Sequence, residues 1–148
     1  MSRRGSLVLA ALLLSAAGSA ETRAKAPDVA DRTGQWSAMF APDVARAIGR
    51  QVNVDVASIA VNGTARSFRQ AAVLLRDESA FARGTTIYAL RTVDCQSGIT
   101  RDGRWSAVAP DGSALGGSAA SAQSFAQVRW DSADGKVLRF VCQGILPR

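Results

Sequence analysis

The chain of 148 residues contains no histidine. That removes Ser-His-Asp and Cys-His catalysis and the commonest general base near neutral pH. It has two cysteines, Cys95 and Cys142. A structural zinc needs about four nitrogen or sulfur ligands, so two thiols without imidazole cannot supply the usual sets. The separation of the two cysteines excludes a Cys-x-x-Cys redox pair. Lysine is nearly absent: Lys25 lies near the N-terminus, and Lys136 is the other. Ser-Lys chemistry is therefore poorly provided for. No glycine-rich loop stands between a strand and a helix, so a phosphate cradle is not expected. There is no dense Lys/Arg run, and nucleic acid is not the expected partner.

What is present begins with "MSRRGSLVLAALLLSAAGSA". Arg3 and Arg4 form a basic start, Leu7 to Ala17 an apolar run, and Gly18-Ser19-Ala20 a small-residue cleavage pattern. This is the composition of a secretory signal peptide over residues 1–20, and the run is shorter than the roughly 20 apolar residues a membrane span needs. The expectation is export, to the periplasm or to the cell surface or medium, with no membrane span in the mature form. Removal leaves about 128 residues, the size of one domain. Sixteen basic residues then face twelve acidic ones, a net charge near +4 that suits acidic proteins, polyanionic glycans or lipopolysaccharide as partners. In an oxidising compartment two cysteines are most simply one disulfide. A closed loop of about 48 residues contributes ~4 kcal/mol by loop entropy.

Residues 21–35 are polar and read as a flexible leader, with one domain over 36–148. "WSAMF" suits a short strand. "APDVARAIGR" suits a short helix, with Pro42 in its first turn and Gly49 at its stop. "QVNVDVASIAVNG" alternates Val52, Val54 and Val56 with Asn53 and Asp55, a strand signal, and Asn62-Gly63 predicts a hairpin. "TARSFRQAAVLLR" is the return strand and "TTIYALRTVDC" a strand ending at Cys95. "ITRDGRWSAVA" is either one bulged strand or a small hairpin, and Pro110-Asp111-Gly112 is a turn. "SALGGSAASAQS" reads as a weak edge strand plus loop, and "FAQVRW" as a short strand. The end is open between strand and helix. A Ser132 cap followed by Val137, Leu138, Val141, Cys142 and Ile145 on one arc favours a helix, while Gly135 and the β-branched residues oppose it. The fold class is α+β, with a mostly antiparallel β-sheet and a helix packed on one face.

These elements carry a resemblance. The signal peptide, "VNVDVASI" with Asp55-x-x-Ser58-Ile59, the "NG" turn, "TVDC", the "PDG" turn and "FVCQ" follow one another as in the surface-adhesin protein E family, over about residues 50–143. The chain resembles these small exported proteins of Gram-negative bacteria. The resemblance implies a C-terminal helix tethered to the sheet by the disulfide, Cys95 at the sheet end and Cys142 at the helix end. It also implies a non-enzymatic binding or adhesin-like function at the cell envelope, binding to host proteins, and a possible homodimer.

No catalytic, metal or cofactor residue is nominated. Asp55, Asp94, Asp102 and Asp111 are the acids available for carboxylate-pair chemistry, but each has a structural explanation in a strand end or turn. Asp55 and Ser58 are expected to end a strand and bond to nearby backbone. Trp36, Trp105 and Trp130 either fill a core or form an exposed platform. Arg66, Arg69, Arg76, Arg101 and Arg104 are candidates for a basic face. A bulge at Asp102-Gly103 would bring Arg101 and Arg104 to one side, as the ligand-binding candidates. The alternative function is a periplasmic inhibitor or accessory protein of an envelope hydrolase, with "GITRDGR" as the plugging loop.

Overall fold

The Val52/Val54 alternation lies in strand β2 (Arg50–Asn62), and both valines are buried. The computed structural model describes residues 28–118 and 124–147. Around β2 are β1 (Trp36–Ala38), α1 (Pro42–Ile48), β3 (Ala65–Leu74), β4 (Thr86–Asp94), β5 (Ile99–Val108), β6 (Ala114–Ser118), β7 (Ser124–Gln127) and α2 (Ala133–Gln143). The sheet is wholly antiparallel, in the order β1-β2-β3-β4-β5-β6. β7 also pairs with β5: it lies against Ile99–Asp102, while β6 lies against Trp105–Val108. The two therefore run end to end along one edge. No helix among the described residues is long and apolar enough to cross a membrane.

Local sequence places most boundaries. Pro42 opens α1, and Gly49 closes it at φ 80°, a conformation glycine adopts freely. The β2–β3 turn is the two residues Gly63-Thr64, one position later than Asn62-Gly63, because Asn62 pairs with Ala65. Two interruptions bend the sheet. Asp55 pairs with Arg69 and Ala60 with Ser67, so residues 56–59 of β2 oppose Phe68 alone. The strand thus continues beyond Asp55-x-x-Ser58 instead of ending there. Ser58 Oγ donates to the Asp55 carbonyl at 2.7 Å and accepts from the Arg69 N–H at 2.8 Å, which satisfies backbone groups the bulge would leave unpaired. The second interruption is in β5, where Gly103 and Arg104 oppose Leu90. "ITRDGRWSAVA" is one bulged strand.

The two faces bury different things. On one, Val52, Val54, Phe68 and Val93 pack with Met39 and Phe40 against Val137, Leu138 and Val141 of α2. At roughly 1.5–3 kcal/mol per buried large apolar side chain, this is the main core. On the other, Ala71, Tyr88 and Val108 pack under Val29, with Ala30 and Trp36 beside them. Residues 28–35, expected as leader, are thus packed on the sheet. Arg69 holds them: Nη1 donates to the Asp31 carbonyl at 3.0 Å, Nη2 donates to the Thr33 carbonyl, and the guanidinium lies 5.2 Å from the Trp36 ring centre. Residues 21–27, like 1–20, lie outside the described residues.

The chain's end is a helix. Ser132 Oγ accepts from the Gly135 N–H at 3.0 Å, and Gly144 closes α2 in the left-handed region. Gly135, the residue that spoke against a helix, is required: a Cβ there would lie 1.9 Å from the Arg129 carbonyl oxygen. Ile145 falls beyond Gly144 and is exposed, so it leaves the arc expected for it. Cys95, just after β4, is disulfide-bonded to Cys142 in α2. Asp94 shapes the turn that presents Cys95, accepting from the Gln96 and Ser97 N–H groups and from Thr64 Oγ1.

Candidate functional site

Arg91 is the buried charge of the helix face, with its side chain 7 % exposed. Strand alternation puts it in line with Ala89 and Val93. Its Nε donates to Asp102 Oδ1 at 2.7 Å, and its Nη1 to Gln70 Oε1 at 3.0 Å. Nη1 and Nη2 also reach Asp134 Oδ1 and Oδ2, at 2.6 and 3.0 Å, as a fork. Burial opposes the charge, but the hydrogen bonds and charge of Asp134, then of Asp102, hold Arg91 above its ordinary pKa. Asp134 belongs to the first turn of α2, where an acid also suits the helix dipole. The helix is therefore fixed at both ends, by this fork and by the disulfide.

Beside the N-terminal end of α2 the sheet face stays open. An inner cavity of about 270 Å³ is lined by Phe40, Ile48, Val52, Ala72 and Val137, with Gln70 among its polar groups. An outer cavity of about 390 Å³ is lined by Ala89, Trp105, Arg91 and Asp102. Arg50, Gln70 and Asp134 line both, which makes one continuous groove. The Arg50–Glu78 ion pair spans its rim, and the hydrogen bond from Arg50 holds the Glu78 carboxyl below its ordinary range. Phe81 meets the Trp105 ring edge-on at 6.2 Å. A larger hollow of about 840 Å³ lies among Lys136, Arg139, Ile145, Leu146 and Pro147. Only α2 and the exposed tail after it wall that hollow, whereas residues from α1, four strands and α2 line the groove.

The residues nominated from sequence are dispersed. Arg101 precedes the β5 bulge and Arg104 lies in it, and the extra residue puts both on the face opposite α2 by strand alternation. The Arg101 guanidinium lies 5.6 Å from the ring centre of Phe125, a residue 64 % exposed. Arg66 donates to the carbonyls of Gly63 and Ala65 at the hairpin, and Arg76 to that of Ile48. Arg69 is committed to Asp55 and the N-terminal segment. The five arginines do not share one face. The three tryptophans are likewise separate: Trp36 packs on Tyr88, Trp105 on Phe81, and Trp130 joins the main core.

The nominated acids all have structural partners. Asp55, 2 % exposed, accepts from Arg69 Nη2 at 2.6 Å and from the Gln35 N–H at 2.9 Å. Burial would raise its pKa, but the hydrogen bonds from Arg69 and Gln35 outweigh that and leave it lowered. Asp94 is brought down to about 2, first by the Ser97 N–H and then by Thr64. Asp111 is lowered by its hydrogen bonds with Ser113. Asp102 is the one that reaches the groove. "GITRDGR" does not project: Ile99–Asp102 is paired on both edges, with β4 and β7. Among the described residues no three His, Cys, Asp or Glu side chains are grouped to hold a metal ion.

Sequence reading missed Arg91, Gln70 and Asp134. A signal existed: in "YALRTVD" an arginine takes the alternate position of Ala89 and Val93, so it points into the apolar face. Its partners lie 21, 11 and 43 residues away along the chain, and local pattern carries no trace of them. Comparison with protein-family models, with curated proteins and with solved structures finds no match to this chain.

Proposed function

We propose that the chain is an exported, non-enzymatic binding module of the cell envelope, of the kind the protein E resemblance implies. The observation that carries the reading is the groove beside α2, which joins an apolar inner cavity to an outer one lined by Arg50, Arg91, Asp102, Asp134 and Trp105, a combination of apolar surface and convergent polar groups suited to recognition. Its floor is the sheet, through residues of β2 to β5, and its wall a helix fixed at both ends, so a partner would meet a rigid surface. The acids that could have paired for hydrolysis serve other ends: Asp55 and Asp94 hold backbone, and Asp102 binds Arg91. The basic start, the apolar run after it and the Cys95–Cys142 bond support an oxidising compartment.

The test uses oxidised protein of residues 21–148, immobilised and challenged with an envelope extract, purified matrix proteins and heparin. Saturable capture of one component, competed by free protein, is the expected result. Absence of saturable capture in every arm overturns the reading. A lysozyme-inhibition assay in parallel separates the inhibitor alternative.

A second reading places the contact on the opposite face, at Arg101 and Arg104, with a polyanionic glycan or lipopolysaccharide as ligand. The exposed Phe125 beneath the Arg101 guanidinium favours it, because a cation over an aromatic ring is pre-positioned. Arg101→Ala with Arg104→Ala would abolish heparin binding if this face is used, and unchanged binding would refute it.

A further inference from the structure

We propose that the groove beside α2 docks a short extended peptide segment carrying a basic side chain and, two residues away, a branched apolar one. The proposal rests on the binding-module reading and names the ligand chemistry of its site. The charges on the groove point to a cation. Three carboxylates, Glu78, Asp102 and Asp134, face two guanidiniums, Arg50 and Arg91. They are unequally presented: the Arg91 side chain is 7 % exposed, whereas Asp102 and Asp134 are each 53 % exposed. Arg50 is 44 % exposed but is matched by Glu78 in their own ion pair, so a ligand entering the outer cavity meets the Asp102 and Asp134 carboxylates with only the buried Arg91 to balance the two. Arg91 holds both acids in place, and Asp102 keeps Oδ2 free of any described partner while Oδ1 takes the Arg91 bond. Trp105 lines the same cavity, and an aromatic beside paired acids favours ammonium or guanidinium further. The local excess of one negative charge runs against the net charge near +4 of residues 21–148.

The inner cavity asks for something else. Phe40, Ile48, Val52, Ala72 and Val137 give it an apolar lining, and about 270 Å³ accommodates one aliphatic side chain with room at the mouth. Because Arg50, Gln70 and Asp134 line both cavities, the two compartments adjoin. Alternate side chains of an extended peptide are about 7 Å apart and point the same way, which matches two adjoining pockets of unlike character better than a single small amine does.

The experiment is an NMR titration of the oxidised 15N-labelled protein with the probe Ac-Ala-Lys-Ala-Leu-Ala-NH2. Saturable shifts are expected at the amides of Gln70, Ala72, Asp102 and Asp134. Binding should weaken ~10-fold in Asp102→Asn, by loss of one charge-assisted bond, and by a similar factor when Glu replaces Lys in the probe. Ala72→Leu, which fills the inner cavity, should weaken the probe without changing the affinity of N-acetyl-lysine amide. Absence of saturable shifts overturns the proposal. So does N-acetyl-lysine amide binding as tightly as the peptide, or an unchanged affinity in a folded Asp102→Asn. If envelope capture survives in Asp102→Asn and Ala72→Leu, the groove proposal falls and the binding-module reading stands.

Discussion

Arg91 offers a test of what a buried charge is for. Two perturbations of the same network should have opposite weight. Arg91→Met removes the guanidinium and leaves an apolar side chain of similar length among Phe68, Ala89 and Val93. The carboxylates released, Asp102 and Asp134, are each 53 % exposed, so water replaces the lost bonds. The cost should stay below ~1.5 kcal/mol, since exchanging a buried ion pair for apolar packing is often near neutral. The double change Asp102→Asn with Asp134→Asn does the reverse. It leaves a guanidinium 7 % exposed with only neutral acceptors, among them Gln70 Oε1. Stranding a buried charge in this way costs about 3–5 kcal/mol, and the lower end applies because amides still accept hydrogen bonds. The assay is equilibrium urea unfolding followed by tryptophan fluorescence, with the disulfide intact and the slope compared between variants. If Arg91→Met costs more than the double asparagine variant, the assignment of the energetic burden to the guanidinium is refuted.

Three further outcomes follow from the geometry. Reduction of Cys95–Cys142, or its replacement by two serines, should lower unfolding stability by ~4 kcal/mol for a closed loop with a sequence separation of 47; denaturation of oxidised and reduced protein side by side checks this. Gly135→Ala should cost about 3 kcal/mol or more, because its Cβ would strike the Arg129 carbonyl rather than a movable side chain; a melt of this variant against the unsubstituted protein is the comparison. In acid, Asp55 and Asp94 have folded pKa values below the ordinary 3.8, so their contribution is whole above about pH 4–5 and is lost as pH falls through the folded values, about 2 for Asp94. A urea midpoint that falls between pH 5 and pH 2, less steeply in Asp94→Asn, is expected, and a midpoint independent of pH would contradict it.

The fold was largely legible because its signals are local. Alternation in "VNVDV", Pro42 and Gly49 around a short helix, and Pro110-Asp111-Gly112 each depend on residues within one turn or strand. The site was not legible. Arg91 is one arginine among many in sequence, and only the pairing of β4 with β3 and β5, and the docking of α2, bring Gln70, Asp102 and Asp134 to it. The β2 bulge was half legible: Asp55 and Ser58 suggested side chains bonding to backbone, which Ser58 does. The sense was reversed, because those bonds let the strand continue past residues 56–59 where a strand end was expected.

By itself the sequence determined an α+β chain with antiparallel strands and one possible cysteine pair, because hydrophobic period, turn chemistry and thiol count need no partner to be read. Tertiary structure decided whether residues 133–143 are helix or strand. Gly135 counts against a helix in isolation and becomes necessary only where α2 passes within contact of the Arg129 carbonyl. It likewise decided that residues 28–35 lie on the sheet, since what holds them is Arg69, dozens of residues away. It also decided which arginine matters, because burial and ion pairing are properties of a folded surface and no short stretch of sequence contains them.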